Sequence, residues 1–375
     1  MTTSLEKAYI YQHSILPHVS RTFALTIPQL PPQLQTIVGH AYLLCRLLDT
    51  IEDEPDLSIE LKNQYEDEFV EVITGLRDAR TFCEALKPLL STQTLAAERE
   101  LMDQLPLLLE VNHALSPHQR TIILNCLKVM ARGMQQFQCN RGLNGIATRQ
   151  ELDRYCYCVA GVVGEMLTDL FIDFAPELAD QRTTLLRLSI SFGQGLQLTN
   201  ILKDQWEDRQ RGICCLPRDL FAENSVYLPD LRPGHASPGF QNGLNELLGT
   251  AHAHVCQGLE YACLIPARYP GIRRFILWTT GLAVLTLKHV HATPDFGSSK
   301  EVKVTRAELL SVMYLTRICQ RSETALRKLF KVAAHTLPFT LLGSEWQPVA
   351  DALIWPKQTI FFLSEIKWAN EEDFM

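Results

Sequence analysis

The 375-residue sequence predicts an all-α protein, folded as one helical bundle. Three observations predict it. Apolar residues recur at the three-and-four spacing of a helix over most of the length. The alternation of a half-buried strand is hard to find. Proline and glycine mark the breaks between the periodic stretches. With 46% hydrophobic and 21% charged residues, the chain has ample material for a core.

The elements follow in order. The break "IPQLPP" (27–32) precedes a helix over 33–53, whose apolar run ends in "LLDTIEDE" (47–54). Periodicity then predicts helices over 58–77, 94–113 and 117–138. A helix over 148–171 contains "YCYCVAGVVG", and one over 182–208 contains "LTNILKDQWED". "LRPGHASPG" (231–239) is the one long loop; helices of similar character flank it, which favours a single domain over a linker. Helices over 240–264, 270–290 and 306–333 complete the bundle. The uncharged run "FILWTTGLAVLTL" has thirteen residues. It falls short of the ~20 that span a bilayer, so it reads as a buried helix. The bundle is expected over 1–335, and 336–375 as a C-terminal extension packed on the same domain. There is no internal repeat.

Several function classes are disfavoured. A net charge of −7 offers no basic field, so no nucleic-acid partner is expected. The eleven cysteines include no Cys-x-x-Cys and read as reduced core thiols of a cytoplasmic protein. The His-x-His pairs 252/254 and 289/291 point to different helix faces, which argues against metal binding. "GQGLQL" (193–198) imitates a dinucleotide fingerprint, but no strand precedes it and Leu198 takes the third glycine position; close helix packing suits Gly193 and Gly195 better. "MTTSLEKAYIYQHS" has no basic and no apolar signal region. A soluble chain is expected, at most lying on a membrane surface.

Two acidic clusters remain. Asp49 and Asp53 are four apart with Glu52 between them; Asp204 and Asp208 are again four apart with Glu207 between them. Each pair shares a helix face. Gln197 and Asn200 extend the second stripe upstream, and Arg46 joins the first. A solvated acidic face is the ordinary fate of such a run. Here apolar neighbours such as Leu48, Ile51, Ile201 and Trp206 surround the acids, and uncompensated carboxylates near a core are costly. Metal ions remove that cost. Oxygen ligands without Cys or His favour Mg²⁺ over Zn²⁺. Mg²⁺ takes one or two carboxylates and completes its sphere with water and phosphate, so two facing pairs suggest a bridge to a diphosphate. Basic residues accompany them: Arg21, Arg46, Lys203, Arg209 and Arg211.

"SRTFAL" (20–25), "LLDTIED" (47–53), "YCYCVAGVVG" (155–164) and "LTNILKDQWEDRQRG" (198–212) together resemble the squalene/phytoene synthase family, in order and spacing. The resemblance implies the isoprenoid synthase bundle around a central apolar cavity, with two aspartate-rich motifs holding Mg²⁺ for prenyl diphosphates. Asp49, Glu52 and Asp53 match the first metal motif, and Asp204 and Asp208 the second. Gln197, Asn200 and Lys203 match the polar stripe that meets substrate. Arg21 and Arg46 match positions that contact diphosphate or a cofactor phosphate. Tyr155 matches the family's catalytic tyrosine near the cyclopropyl-forming step. For "VAGVVG", passage of a prenyl tail and tight helix packing both remain open.

Residues 264–308 resemble the squalene-forming branch, which uses NADPH. Lys303 matches its first lysine, Thr305 stands where a basic residue is usual, and Arg306 follows. Arg21, Arg46, Lys203, Lys303 and Arg306 are thus the expected cofactor-binding cations. The resemblance implies condensation of two farnesyl diphosphates through presqualene diphosphate, then reduction to squalene. Members that stop at presqualene, dehydrosqualene or phytoene are the nearest alternative. A non-catalytic lipid-binding bundle and a terpene cyclase are the more distant ones. A peripheral membrane contact would serve product release. The sequence does not give the oligomeric state.

Overall fold

The computed structural model describes residues 3–20, 22–138 and 142–342. Among the described residues sixteen α-helices run in order: α1 (Ser4–Val19), α2 (Phe23–Thr26), α3 (Pro32–Asp53), α4 (Ile59–Thr74), α5 (Ala79–Leu86), α6 (Ala96–Asp103), α7 (Leu105–Ala114), α8 (Pro117–Gln138), α9 (Arg149–Cys156), α10 (Val162–Phe174), α11 (Arg182–Gln210), α12 (Arg218–Glu223), α13 (Pro238–Leu264), α14 (Pro270–Ala292), α15 (Arg306–Cys319) and α16 (Glu323–Ala333). Among the described residues there is no strand, only an isolated bridge between Ile146 and Pro217. The described residues up to Leu342 belong to one compact unit. Residues 343–375 of the expected extension lie outside the described residues; Pro338 and Phe339 pack on His252 of α13.

Local chemistry sets the boundaries. Thr3, Ser58, Asp78, Thr148, Ser237, Thr305 and Ser322 each cap a helix by accepting a backbone N–H three residues on. Two expected helices are split. The 94–113 stretch breaks at Gln104, because Pro106 has no N–H to donate and suits only the first turn of a new helix. The 306–333 stretch breaks before Ser322, which caps α16. Helices α1, α2, α5 and α12 are additional to those the periodicity predicts.

The long α11 is the axis of the bundle. Its middle, 188–195, is buried on all sides, and Leu185, Leu198, Ile201 and Leu202 extend the buried surface, against α10, α13 and α14. Close approach of α10 and α11 requires glycine on both helices. A Cβ on Gly193 would lie 2.3 Å from the carbonyl oxygen of Ala160, and one on Gly164 2.3 Å from that of Ser189. Helix packing, rather than room for a ligand, therefore accounts for Gly164 in "VAGVVG". Between α9 and α10 the chain stays helical but widens to a π turn over Tyr157–Gly161. The continuous stretch Arg149–Phe174 is long and apolar enough to cross a membrane, yet half of its most apolar window is buried in the fold. The "FILWTTGLAVLTL" run is the buried middle of α14.

Candidate active site

Both acidic motifs occupy the last turns of their helices, α3 and α11. A helix C-terminus already carries a partial negative charge, where carboxylates are unfavourable and cations favourable. Two such termini, each loaded with acids, converge on one cavity of about 390 Å³. Arg46, Asp49, Glu52 and Asp53 line it from α3. Gln197, Asn200, Lys203, Asp204 and Asp208 line it from α11, and Tyr155 from α9. Phe137, Ile146, Val159, Ile201 and Ile213 form apolar wall.

Arg211 ties the two motifs together. Its guanidinium lies 2.6 Å from Asp208 and 3.4 Å from Asp53. The two clusters, some 150 residues apart in sequence, therefore face one another within the span of one side chain. Arg46 pairs with Glu98 of α6 and lies 4.0 Å from Asp49. Lys203 lies 3.1 Å from Asp204.

These cations do not neutralise the acids. Burial pushes the Asp49 carboxyl up to about 7 against the pull of Arg46, with Asp53 and Glu98 adding repulsion. Burial likewise pushes Asp208 up to about 6, although Arg211 opposes it. Asp204 is raised too, by burial first, with Lys203 opposing. Asp49 still opens about a third of its side chain to the cavity, 36%. A divalent cation fits this site: the donors are oxygens and the field is negative. No three Asp, Glu, His or Cys side chains among the described residues form a ready-made metal cage. One or two carboxylates per ion, with phosphate completing the sphere, is the arrangement the residues permit.

Two acids from the sequence clusters have other work. Glu207 accepts from the backbone N–H and hydroxyl of Ser299, at 2.9 and 2.8 Å, and so holds the loop after α14. Glu54, 1% exposed, accepts from the N–H of Ser91 and the hydroxyl of Thr94. The buried Lys62 donates to the carbonyl of Glu52 at 2.5 Å, a cation at the C-terminal end of α3. Lys62 and Glu54 fix the end of α3, and with it the motif.

Tyr155 packs edge-on against Phe137, ring centres 5.6 Å apart. Burial raises its phenol, and Glu52 and Asp53 raise it further. It stays protonated at neutral pH, suited to donate or orient a hydrogen bond.

Arg21 lies outside the described residues. Lys303 and Arg306 are exposed and are absent from the cavity lining. The Ser299–Glu207 bonds tie their loop to α11. Their chemistry suits phosphates of a nucleotide, but at the surface rather than in the cavity. His252 and His254 meet the carbonyl of Pro338 and the hydroxyl of Ser191; His289 and His291 meet Glu308 and Asn245. Arg209 donates to the carbonyl of Pro229. Sequence reasoning had Arg211 only as a nearby charge, though its three-residue spacing from Asp208 was the available signal. It did not find Cys214 and Cys215, which line the cavity.

Residues 16–308 match the family model described as squalene/phytoene synthase. A squalene synthase of Candida albicans is 30% identical over 297 residues, covering 77% of this chain and 63% of that protein. One from Botryococcus braunii is 30% identical over 317 residues, covering 82% and 64%. The chain thus spans a little under two thirds of these relatives' length. A solved complex of TcSQS with a ligand superposes with a TM-score of 0.70 at 26% identity, covering 88% of this chain and 91% of that one. A dehydrosqualene synthase shares the fold, with a TM-score of 0.59 at 20% identity over 88% and 98%.

Proposed function

The chain belongs to the squalene/phytoene synthase family, and from that premise we propose that it condenses two farnesyl diphosphates head to head and reduces the product to squalene. The observation that carries the reading is the convergence of two acid-bearing helix C-termini on one cavity, joined by Arg211. Asp49, Glu52, Asp53, Asp204 and Asp208 would hold Mg²⁺, which supplies charge neutralisation for the departing diphosphate. Arg46, Lys203 and Arg211 add fixed positive charge beside it. Gln197 and Asn200 offer amide hydrogen bonds along the same face. Tyr155, a neutral phenol on the cavity wall, orients the reacting chain or donates a hydrogen bond to released diphosphate. Phe137, Ile146, Val159 and Ile201 keep water from the allylic cation.

NADPH, when bound, supplies hydride; Lys303 and Arg306, with Arg21, Arg46 and Lys203, are the cations proposed to hold its phosphates. The exposed position of Lys303 and Arg306 favours a second reading, a synthase that ends at presqualene diphosphate, dehydrosqualene or phytoene. Incubation with farnesyl diphosphate and Mg²⁺, with and without NADPH, separates the two. Squalene formed only with NADPH supports the first. The same product in both tubes supports the second. No diphosphate release under any condition refutes both.

A further inference from the structure

Beside the second acidic motif, α11 carries a further polar stripe, and it is buried. Gln205 and Arg209 are four apart and share a face next to Asp208, with Trp206 beyond them. Gln205 is 8% exposed and Trp206 3%. Neither amide atom of Gln205 has a hydrogen-bond partner among the described residues, nor has Nε1 of Trp206 or Nη1 of Arg209. The side chains are otherwise held in place. The Trp206 ring lies against Phe240, centres 6.5 Å apart, and Arg209 donates through Nη2 to the carbonyl of Pro229. Buried polar atoms are almost always paired. Four orphans on one short stretch of helix therefore call for a partner that is not a side chain.

The structure has a place for one. Gln205, Trp206 and Arg209 line a second cavity, of about 10 Å³. It shares Ile201, Asp208, Cys214 and Cys215 with the main cavity and so lies directly behind the motif. That volume is room for about one water molecule, and too little for a phosphate. The lining points the same way. It offers donors from Gln205, Trp206 and Arg209 and an acceptor from Gln205, and the guanidinium turns a metal cation away. A water accepts from two of these donors and donates to the Gln205 amide oxygen. Its second hydrogen is directed to Asp208, the carboxylate on the shared wall, whose Oδ1 accepts from Arg211 at 2.6 Å.

We propose that this chamber is a water site, and that the water held by Gln205, Trp206 and Arg209 fixes Asp208 in the orientation that meets metal. Gln205 and Trp206 are absent from the main cavity lining, so they are positioning residues that act through the water and Asp208. Outer partners of this kind orient metal ligands, and losing one weakens the hold on the ion. The water site rests on the lining alone; its use rests on the reading of Asp208 as a Mg²⁺ ligand.

Two measurements on the full chain test it, and neither needs turnover. The first is a crystal structure grown with Mg²⁺ and inorganic diphosphate, at a resolution that shows ordered solvent. The expected result is one water within hydrogen-bond distance of Gln205, Trp206, Arg209 and Asp208. A dry chamber overturns the proposal. So does a bromide soak that leaves an anomalous peak there, because the guest is then an anion. The second is calorimetry, which reads the Mg²⁺ concentration that half-saturates the protein at fixed inorganic diphosphate. Gln205→Met keeps the length of the side chain and removes its amide; it should raise that concentration about tenfold without lowering the melting temperature of the metal-free protein. Trp206→Phe keeps a ring against Phe240 and should shift it in the same direction. A Gln205→Met protein that melts lower but needs no more Mg²⁺ assigns Gln205 to packing and overturns the role. No joint binding of Mg²⁺ and diphosphate by the wild type removes the role together with the metal site. Joint binding that Gln205→Met leaves unchanged defeats the water's role alone and leaves the proposed reaction standing.

Discussion

Asp49 and Asp208 carry the clearest electrical signature of the site, and its sign can be worked through. A carboxyl raised on folding binds more protons folded than unfolded between its two pKa values. Its contribution to stability is present at the acidic end and lost as pH rises through the folded value, about 7 for Asp49 and about 6 for Asp208. The metal-free protein should therefore melt lower at pH 8 than at pH 6, and Asp49→Asn should flatten that slope. Melting curves with chelator at several pH values check it; a wild-type curve that rises over this range contradicts the assignment. The same groups must lose protons to bind metal, so more Mg²⁺ is needed as pH falls below 7. Asp49→Asn or Asp204→Asn should each cost on the order of 10²–10³ in diphosphate release, with the helical spectrum intact. Near-normal turnover in either variant at ordinary Mg²⁺ would separate the two motifs. Tyr155→Phe keeps the ring against Phe137 but removes the hydroxyl. Substrate should still bind while coupling slows or diverts; wild-type rates and product ratios would assign Tyr155 to packing.

Among the helices, the consequence lies in how α3 and α11 are held. Lys62→Met removes the donor to the Glu52 carbonyl and should cost about 1.5–3 kcal/mol in stability, the range for a hydrogen bond to a charged group. Because Glu52 lines the cavity, turnover should fall with it, measured at a temperature where the variant is still folded. Turnover unchanged per folded molecule would limit Lys62 to stability. Gly193→Ala forces a Cβ toward the Ala160 carbonyl and should cost roughly 1–3 kcal/mol by overpacking. What the sequence made legible follows from the same geometry. The long helices α3, α8, α11, α13 and α14 were readable because each buries a regular apolar pattern. The short α5 and α12 were not, since so few residues give little periodicity. The two aspartate pairs were readable by their spacing, and the cavity brings them together. Glu207 and Glu54 share that spacing or proximity, yet their partners, Ser299 and Ser91, are remote in sequence. No local pattern distinguishes an acid facing a cavity from one holding a loop.

For the molecule as a whole, the negative cavity makes ligand and stability one question. Arg211 is the internal cation that spans Asp53 and Asp208, and it leaves Asp49 and Asp204 with raised pKa values. Metal alone meets few protein oxygens per ion, since no three metal-ligating side chains cluster among the described residues. Inorganic diphosphate alone meets the repulsion of the carboxylates, with Arg46, Lys203 and Arg211 the cations in its favour among the described residues that line the cavity. Together each supplies what the other lacks: the ions offset the acids, and the phosphate oxygens complete the ions' coordination. Stabilisation should therefore be strongly synergistic in a thermal melt. At a hundred times the dissociation constant, binding adds about 2.7 kcal/mol, which for a chain of this size is a shift of roughly 3–4 °C. Mg²⁺ or diphosphate added singly should move the melting temperature little. Asp204→Asn should erase most of the joint shift, and Lys303→Ala with Arg306→Ala should leave it intact, because those two side chains lie outside the cavity lining. The same double variant should weaken NADPH use if the reductive reading holds, so one pair of substitutions separates the two sites. A shift produced fully by Mg²⁺ alone would mean that the carboxylates close around an ion without phosphate, and the bridge between the motifs would need no substrate to complete it.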